Sequence, residues 1–156
     1  MNLHDEILKI KNELLDEFDK RVEALKVDEQ EFPQVGDDYW FINSTGNVIN
    51  EKWGGLRFEK DRLEFGNVFQ TEQQAQFAVE KLKVEAELRK YSRPFECGAF
   101  NCCISLDKDD VCFYLDSSRY FQSQGTIYFE SRIKAQQAIE SVGEERIKKY
   151  IFGVED

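Results

Sequence analysis

The sequence predicts an α+β protein in which an N-terminal amphipathic helix precedes two similar ββ(β)α modules with antiparallel strands. Near the N-terminus, apolar residues recur every three or four positions, which is typical of one helical face. Two later stretches each pass from a pair of apolar runs separated by turn residues to an Ala-containing helical pattern. These two stretches also match each other at one fixed offset, which indicates a repeated unit.

The first helix is expected over residues 3 to about 27, with acidic side chains between the apolar positions. The apolar spacing averages about eleven residues in three turns, which favours packing on the domain or a short helical pair over a long coiled coil. A homodimer through this helix is the alternative. The apolar positions are Leu3, Ile7, Ile10, Leu14, Phe18, Val22 and Leu25, widened by Leu8 and Leu15.

The first module is predicted from a hairpin and a capped helix. "YWFINSTGNVINEKW" reads as two strands around a turn in which Gly46 supplies a positive φ. The stretch "GGLRFEKDRLEFGNVF" alternates apolar and polar residues and is interpreted as short strands or an irregular connection. Thr71 and Gln74 form a capping box for a helix that runs to about Tyr91, with Pro94 beyond it.

The second module repeats this order. "FNCCISLDKDDVCFYLD" predicts two strands around the acidic turn Asp107 to Asp110, and "GTIYF" predicts a further short strand. Ser131 is expected to cap a helix that Gly143 interrupts, after which "EERIKKYIF" resumes it.

Residues that match at an offset of sixty positions define the two predicted modules. The acidic helix is assigned to residues 1–30, the first module to 36–92 and the second module to 97–156, with both modules sharing one compact unit. The matched pairs are Phe69 with Phe129, Thr71 with Ser131, Ala75 with Ala135, Ala78 with Ala138, and Val79 with Ile139.

The helix that begins at Thr71 carries apolar residues on two sides. One stripe contains Ala75, Ala78, Val79, Leu82 and Ala86 and should meet the helix's own sheet. The opposite stripe is predicted to be a face for the N-terminal helix, for a second subunit or for a partner. This stripe consists of Phe77, Val84, Leu88 and Tyr91.

Charge restricts the classes of partner. The chain has 31 acidic and 21 basic residues and a net charge of −10 at pH 7, and residues 1–38 hold twelve of the acids but five of the bases. Such a field repels nucleic acid and anionic membranes and suits a basic protein partner, although acidic surfaces also serve solubility. No secretory signal and no long apolar span occur, so a cytoplasmic location is expected.

The sequence contains no pattern typical of a catalytic or metal site. His4 is the only histidine and lies near the N-terminus, so neither a general base nor a Cys–His pair is offered. The four cysteines, Cys97, Cys102, Cys103 and Cys112, do not follow zinc-ligand spacing and are interpreted as buried reduced thiols. We therefore expect a protein that is not an enzyme and holds no cofactor or metal.

Two stretches resemble a family of small acidic accessory proteins encoded by phages and prophages of Gram-positive bacteria. They are "GNVFQTEQQAQFAVEKLKVEAEL" and "GTIYFESRIKAQQAIESVGEERIKKYIFG", and the resemblance covers about residues 35–156. It implies a phage protein active in the bacterial host cell. Among such accessory genes, anti-defence proteins, including Cas9 anti-CRISPRs, are a recurring class, but no site residue follows from the resemblance.

The resulting hypothesis is a non-enzymatic anti-defence protein that binds and sterically inhibits a host nuclease, with Cas9 as the first candidate. Cas9 holds nucleic acid in positively charged channels, which an acidic surface can occupy. One alternative is a homo-oligomeric phage assembly protein, and another is a sponge for a nucleotide signal that uses Tyr39, Trp40 and Trp53. The carboxylates predicted to bind the partner are Asp16, Glu17, Asp19, Glu23, Asp107, Asp109 and Asp110.

Overall fold

A computed structural model describes the backbone of residues 3–28 and 31–155, and the side chains of residues 4–22 and 31–155. The elements mix helices with small antiparallel sheets, so the predicted α+β class and the N-terminal helix are confirmed. In chain order they are α1 (Leu3–Asp28), β1 (Asp38–Ile42), β2 (Val48–Lys52), α2 (Arg57–Glu64), α3 (Glu72–Arg89), β3 (Asn101–Asp107), β4 (Cys112–Ser118), β5 (Tyr128–Phe129), α4 (Arg132–Val142) and α5 (Glu144–Phe152).

Both predicted hairpins are present. β1 pairs with β2, and the turn between them places Gly46 at a φ of +80°. β3 lies between β4 and β5 in a second antiparallel sheet, and its register with β4 runs from Asn101 opposite Ser118 to Asp107 opposite Cys112. The strand expected in "GTIYF" is limited to the two residues of β5.

The chain divides into two compact units whose boundaries differ from the predicted modules. The first unit comprises Met1–Trp40 and Asn50–Gln70, and the second comprises Phe41–Ile49 and Thr71–Asp156. α3 therefore belongs with the C-terminal elements and not with the strands that precede it in the sequence. The two-module repeat is not confirmed, and the domain boundaries at 36–92 and 97–156 remain predictions.

The core of the second unit forms where α3, α4 and α5 pack together beside β3. Thr71 caps α3 as predicted: its hydroxyl accepts from the Gln74 amide at 3.2 Å, and its own amide donates to Gln74 Oε1 at 3.3 Å. Ser131 caps α4 by accepting from the Lys134 amide at 3.2 Å. The buried core residues are Val84, Leu88, Cys102, Phe129, Ala135, Ala138, Ile139, Val142 and Ile147.

Gly143 separates α4 from α5, as the sequence predicts, and has a φ of +97°. No neighbouring atom lies within 4 Å of the position that a Cβ would take, so the constraint is backbone conformation alone. We expect Gly143→Ala to lower the free energy of unfolding by about 1–2 kcal/mol, measured by urea denaturation with circular dichroism. Ser141→Ala, on the exposed side of α4, should change it by less than about 0.5 kcal/mol, and equal effects would contradict this explanation.

The expectation for "GGLRFEKDRLEFGNVF" is wrong, because residues Arg57–Glu64 form helix α2. The alternating Leu56, Phe58, Leu63 and Phe65 are all substantially exposed, so their alternation does not mark the buried face of a strand. The helix begins where the Glu59 carboxylate accepts from the Leu56 amide at 2.7 Å and from the Gly54 amide at 3.0 and 3.1 Å. The bond from the Leu56 amide caps the helix start, and the bonds from Gly54 hold the preceding loop against the same carboxylate.

Glu59 also belongs to the buried polar centre of the first unit. Its side chain is only 2% exposed and lies 3.5 Å from the Tyr39 hydroxyl, which contacts Glu51 at 3.1 Å. Arg62 donates to the Tyr39 hydroxyl at 2.8 Å and to Glu51 at 3.0 Å. The Tyr39 ring meets Trp53 edge to face at a centroid distance of 5.4 Å, so this polar centre also fixes the aromatic core.

A second buried polar group, Asn101, lies at the start of β3 and is fully buried. Its Oδ1 accepts from Arg93 and from the Glu96 amide, each at 3.0 Å. Its Nδ2 is within 2.9 to 3.1 Å of the carbonyls of Glu96, Ala99 and Ser118. Asn101 therefore ties the segment that follows α3 to both strands of the β3–β4 hairpin.

Candidate functional site

The strongest candidate for a binding surface is α1, where an apolar stripe and several carboxylates are exposed on one long helix. Six apolar side chains are between 44 and 64% exposed: Ile7, Leu8, Ile10, Leu14, Leu15 and Phe18. At about 100° per residue they fall on one side of the helix. Ile7, Ile10, Leu14 and Leu15 also line a shallow groove together with Lys11.

Three of the predicted partner-binding carboxylates, Asp16, Glu17 and Asp19, are exposed on this helix. Glu17 accepts from Arg21 at 2.9 Å, whereas no described basic side chain forms an ion pair with Asp16 or Asp19. Glu23 lies in α1, but its side chain is outside the described residues. Asp16 and Asp19 are thus exposed carboxylates of α1 that form no ion pair with a described basic side chain.

The other predicted carboxylates, Asp107, Asp109 and Asp110, are exposed at the turn between β3 and β4. Asp107 Oδ1 accepts from the Asp109 amide at 2.9 Å, a bond that shapes the turn. This turn belongs to the second unit and α1 to the first. Each acidic cluster is therefore a candidate surface of its own unit.

The second stripe of α3, predicted as an oligomer or partner face, is buried over most of its length, although Phe77 at its start is 40% exposed. Val84 is fully buried and Leu88 is 2% exposed, both in the chain's own core. Tyr91 packs against that core, and the Phe77 ring contacts Tyr150 of α5 at a centroid distance of 5.1 Å. The stripe is buried because α4 and α5 pack against this side of α3.

The aromatic residues considered for a nucleotide pocket do not line an open site. Tyr39 is fully buried and Trp53 is 6% exposed, and the two rings pack against each other. Trp40 pairs through its backbone with Phe69, at 3.0 and 2.9 Å. Tyr39 and Trp53 therefore belong to the first unit's interior and Trp40 is half-buried, so a nucleotide site there has no support.

The second unit contains a cavity of about 190 Å³ that the sequence analysis missed. Its lining includes Leu88 of α3, Phe129 of β5 and Ile147 of α5, with Glu85 and Arg89 joined at 3.5 Å beside them. The lining residues come from four separated parts of the chain. No local sequence signal marks a cavity of this kind, because it arises only when distant elements pack.

The cysteines are free thiols with unequal exposure. Cys102 is buried and Cys103 is half-buried, as expected for adjacent residues of a strand, whereas Cys97 and Cys112 are exposed. The prediction of burial is therefore right for Cys102 and wrong for Cys97 and Cys112. Burial raises the pKa of the Cys102 and Cys103 thiols, which favours their protonated, unreactive form.

Among the described residues, no three His, Cys, Asp or Glu side chains form a group that could hold a metal ion. Within the same residues, no helix combines the length and the apolar character needed to cross a bilayer. No protein-family model, curated protein or solved structure matches the chain. The chain's own surfaces are therefore the guide to its function.

Proposed function

We propose that this chain is a non-enzymatic phage anti-defence protein that binds a basic host nuclease and blocks it sterically in the bacterial cytoplasm. A Cas9 ribonucleoprotein is the first candidate. The observation that supports a binding role is the exposure on one helix, α1, of an apolar stripe and of the carboxylates Asp16, Glu17 and Asp19. The phage context comes from the resemblance of residues 35–156 to phage accessory proteins.

The dimensions of α1 suit this role. With 26 residues at about 1.5 Å each, the helix is about 39 Å long and can cover an extended site on a partner. Its negative charge favours approach to a channel that holds nucleic acid through basic side chains. Occupation of such a channel, or of a surface next to it, would exclude the nucleic acid without any chemical step.

Charge reversal on α1 should weaken binding to the Cas9 ribonucleoprotein. We expect Asp16→Lys/Asp19→Lys to raise the Kd at least about tenfold at low salt and to flatten its dependence on salt, because two attractive charges become repulsive. Biolayer interferometry at two salt concentrations and a DNA cleavage assay measure this effect.

The matched control is Asp109→Lys/Asp110→Lys, which changes the net charge by the same amount in the other acidic cluster. A smaller effect of this control assigns the partner to α1. If neither double variant alters binding or its salt dependence, an acidic inhibitor is the wrong interpretation.

The second candidate function is a homo-oligomeric phage assembly protein, and the apolar stripe of α1 favours it because exposed apolar patches often mark subunit interfaces. Sedimentation velocity of the full chain separates the two functions. A stable oligomer without inhibition of Cas9 would support the assembly role, and a monomer that inhibits Cas9 would support the proposed function.

A further inference from the structure

The apolar stripe of α1 is a feature that charge attraction alone does not explain. Ile7, Ile10, Leu14 and Phe18 follow one another along the helix at spacings of three and four, and each is more than half exposed. Together with Leu8 and Leu15, these side chains present apolar surface on the order of 500 Å², which is near the upper end for the largest patch on a monomer. A helix that acted only as an acidic rod would not need this surface.

Carboxylates border the stripe on both sides. Glu6 and Glu17 are separated by three helical turns and project together beside Ile10. Asp19 projects on the other side beside Leu8, and Asp5 lies next to it, whereas Asp16 projects near Lys9 on the far face. The apolar surface is therefore enclosed by two acidic rows.

The basic residues of α1 offset this pattern only in part. Lys9 and Lys20 project from the face opposite the stripe. Arg21 projects between Ile10 and Leu14, within the stripe, and is bound to Glu17 at 2.9 Å. Lys11 also lies within the stripe.

This arrangement disfavours a second copy of the chain as the occupant. If two copies of α1 joined their apolar stripes, in either relative direction, an acidic row of one helix would face an acidic row of the other. Like charges at such flanking positions weaken helix pairing and select against that partner. Basic side chains at the same positions would instead attract.

We infer that α1 binds in an apolar groove of another protein whose two walls carry lysine or arginine side chains. The inference rests on the proposed protein-binding role of α1 and specifies the partner surface. The apolar stripe occupies the groove floor, as amphipathic helices do in helix-in-groove recognition, while each acidic row meets one basic wall. Tight binding requires both the apolar contact with the groove floor and the charge attraction to its walls, so neither charge nor apolar surface alone is enough.

Three synthetic peptide probes with the sequence of residues 3–28 test this inference against the full-length protein. The first has the native sequence and represents a second copy. The second carries Asp5→Lys, Glu6→Lys, Glu17→Lys and Asp19→Lys, and it presents an apolar stripe between basic borders. The third adds Ile10→Gln and Leu14→Gln to the second, which keeps the basic charge and interrupts the apolar stripe.

We expect isothermal titration calorimetry to give a Kd for the basic-bordered peptide roughly tenfold or more below the values for the other two peptides. In the full chain, Ile10→Gln/Leu14→Gln should weaken binding of this peptide about tenfold, since both changes remove exposed apolar surface and keep good helix formers. The matched control, Phe121→Gln/Ile133→Gln, removes two exposed apolar side chains elsewhere and should leave the Kd unchanged.

Equal or tighter binding of the native-sequence peptide would overturn the inference in favour of a second copy. Equal binding of the peptide with the interrupted stripe would overturn it in favour of charge alone. Failure of the proposed function gives a different result: the full chain would bind the basic-bordered peptide through α1 but leave Cas9 cleavage unchanged. In that case the partner surface stays as inferred and the nuclease is the wrong target.

Discussion

Asn101→Ala is expected to lower the free energy of unfolding of the second unit by about 3 kcal/mol, because it leaves several buried groups without partners. The Asn101 side chain is fully buried and joins Arg93, the Glu96 backbone and the carbonyls of Ala99 and Ser118. Chemical denaturation followed by far-ultraviolet circular dichroism measures the loss.

Asn47→Ala provides the matched control. Asn47 is an exposed turn residue of the same unit, and its side chain donates to Thr45 Oγ1 at 3.0 Å. Its removal should change the free energy of unfolding by less than about 1 kcal/mol. If both variants have similar stabilities, the buried network does not hold the hairpin as described.

Glu59→Gln is expected to produce the largest loss of stability in the first unit. The carboxylate accepts from the amides of Gly54 and Leu56, and an amide side chain cannot accept at both of its terminal atoms. Both tryptophans, Trp40 and Trp53, lie in this unit, so tryptophan fluorescence reports its unfolding. We expect the melting temperature to fall by roughly 5–10 °C, a range set by the loss of charge-assisted hydrogen bonds.

The same residue gives a pH dependence with a definite sign. Burial by itself would raise the pKa of Glu59, but hydrogen bonds from Leu56, Gly54 and Tyr39 and the charge of Arg62 outweigh it, so the pKa lies below its ordinary value of 4.5. The folded state therefore favours the carboxylate. Its contribution to stability is fully present above the ordinary pKa and is lost as the pH falls through the lowered value.

A pH series of melting curves tests this linkage. The native chain should lose stability in the first unit below the ordinary carboxyl pKa, and Glu59→Gln should lack that part of the loss. Glu51→Gln is the control, because Glu51 belongs to the same polar centre but its side chain is 43% exposed. A Glu51→Gln variant as unstable as Glu59→Gln would show that the bonds to the backbone are not the decisive ones.

The sequence predicts best where structure depends on neighbouring residues. The caps at Thr71 and Ser131, the turn at Gly46 and the break at Gly143 each depend on side chains or backbone angles within a few residues, and each is present. The stretch that forms α2 is the exception. Its alternation of apolar and polar residues is typical of a half-buried strand. The apolar residues are exposed in the structure, so the alternation does not mark a buried face.

The residues of the candidate sites likewise include some that the sequence predicts and some that it does not. The exposed carboxylates of α1 and of the β3–β4 turn follow from local pattern, since charged residues on an amphipathic helix or in a turn are normally solvated. The role of the second α3 stripe could not be predicted. A helix apolar on two sides must be covered twice, but its sequence does not say whether the cover comes from the same chain or from another.

The α+β class, the hairpins, the helix caps and the acidic, apolar-striped character of α1 follow from periodicity, turn chemistry and composition, so the sequence predicts them. That α4 and α5 cover α3, that Asn101 and Glu59 are buried and bonded, and that the α1 stripe stays exposed is known from the folded chain alone. The reason is physical: burial depends on which distant segments pack together, and many packings are compatible with the same local pattern.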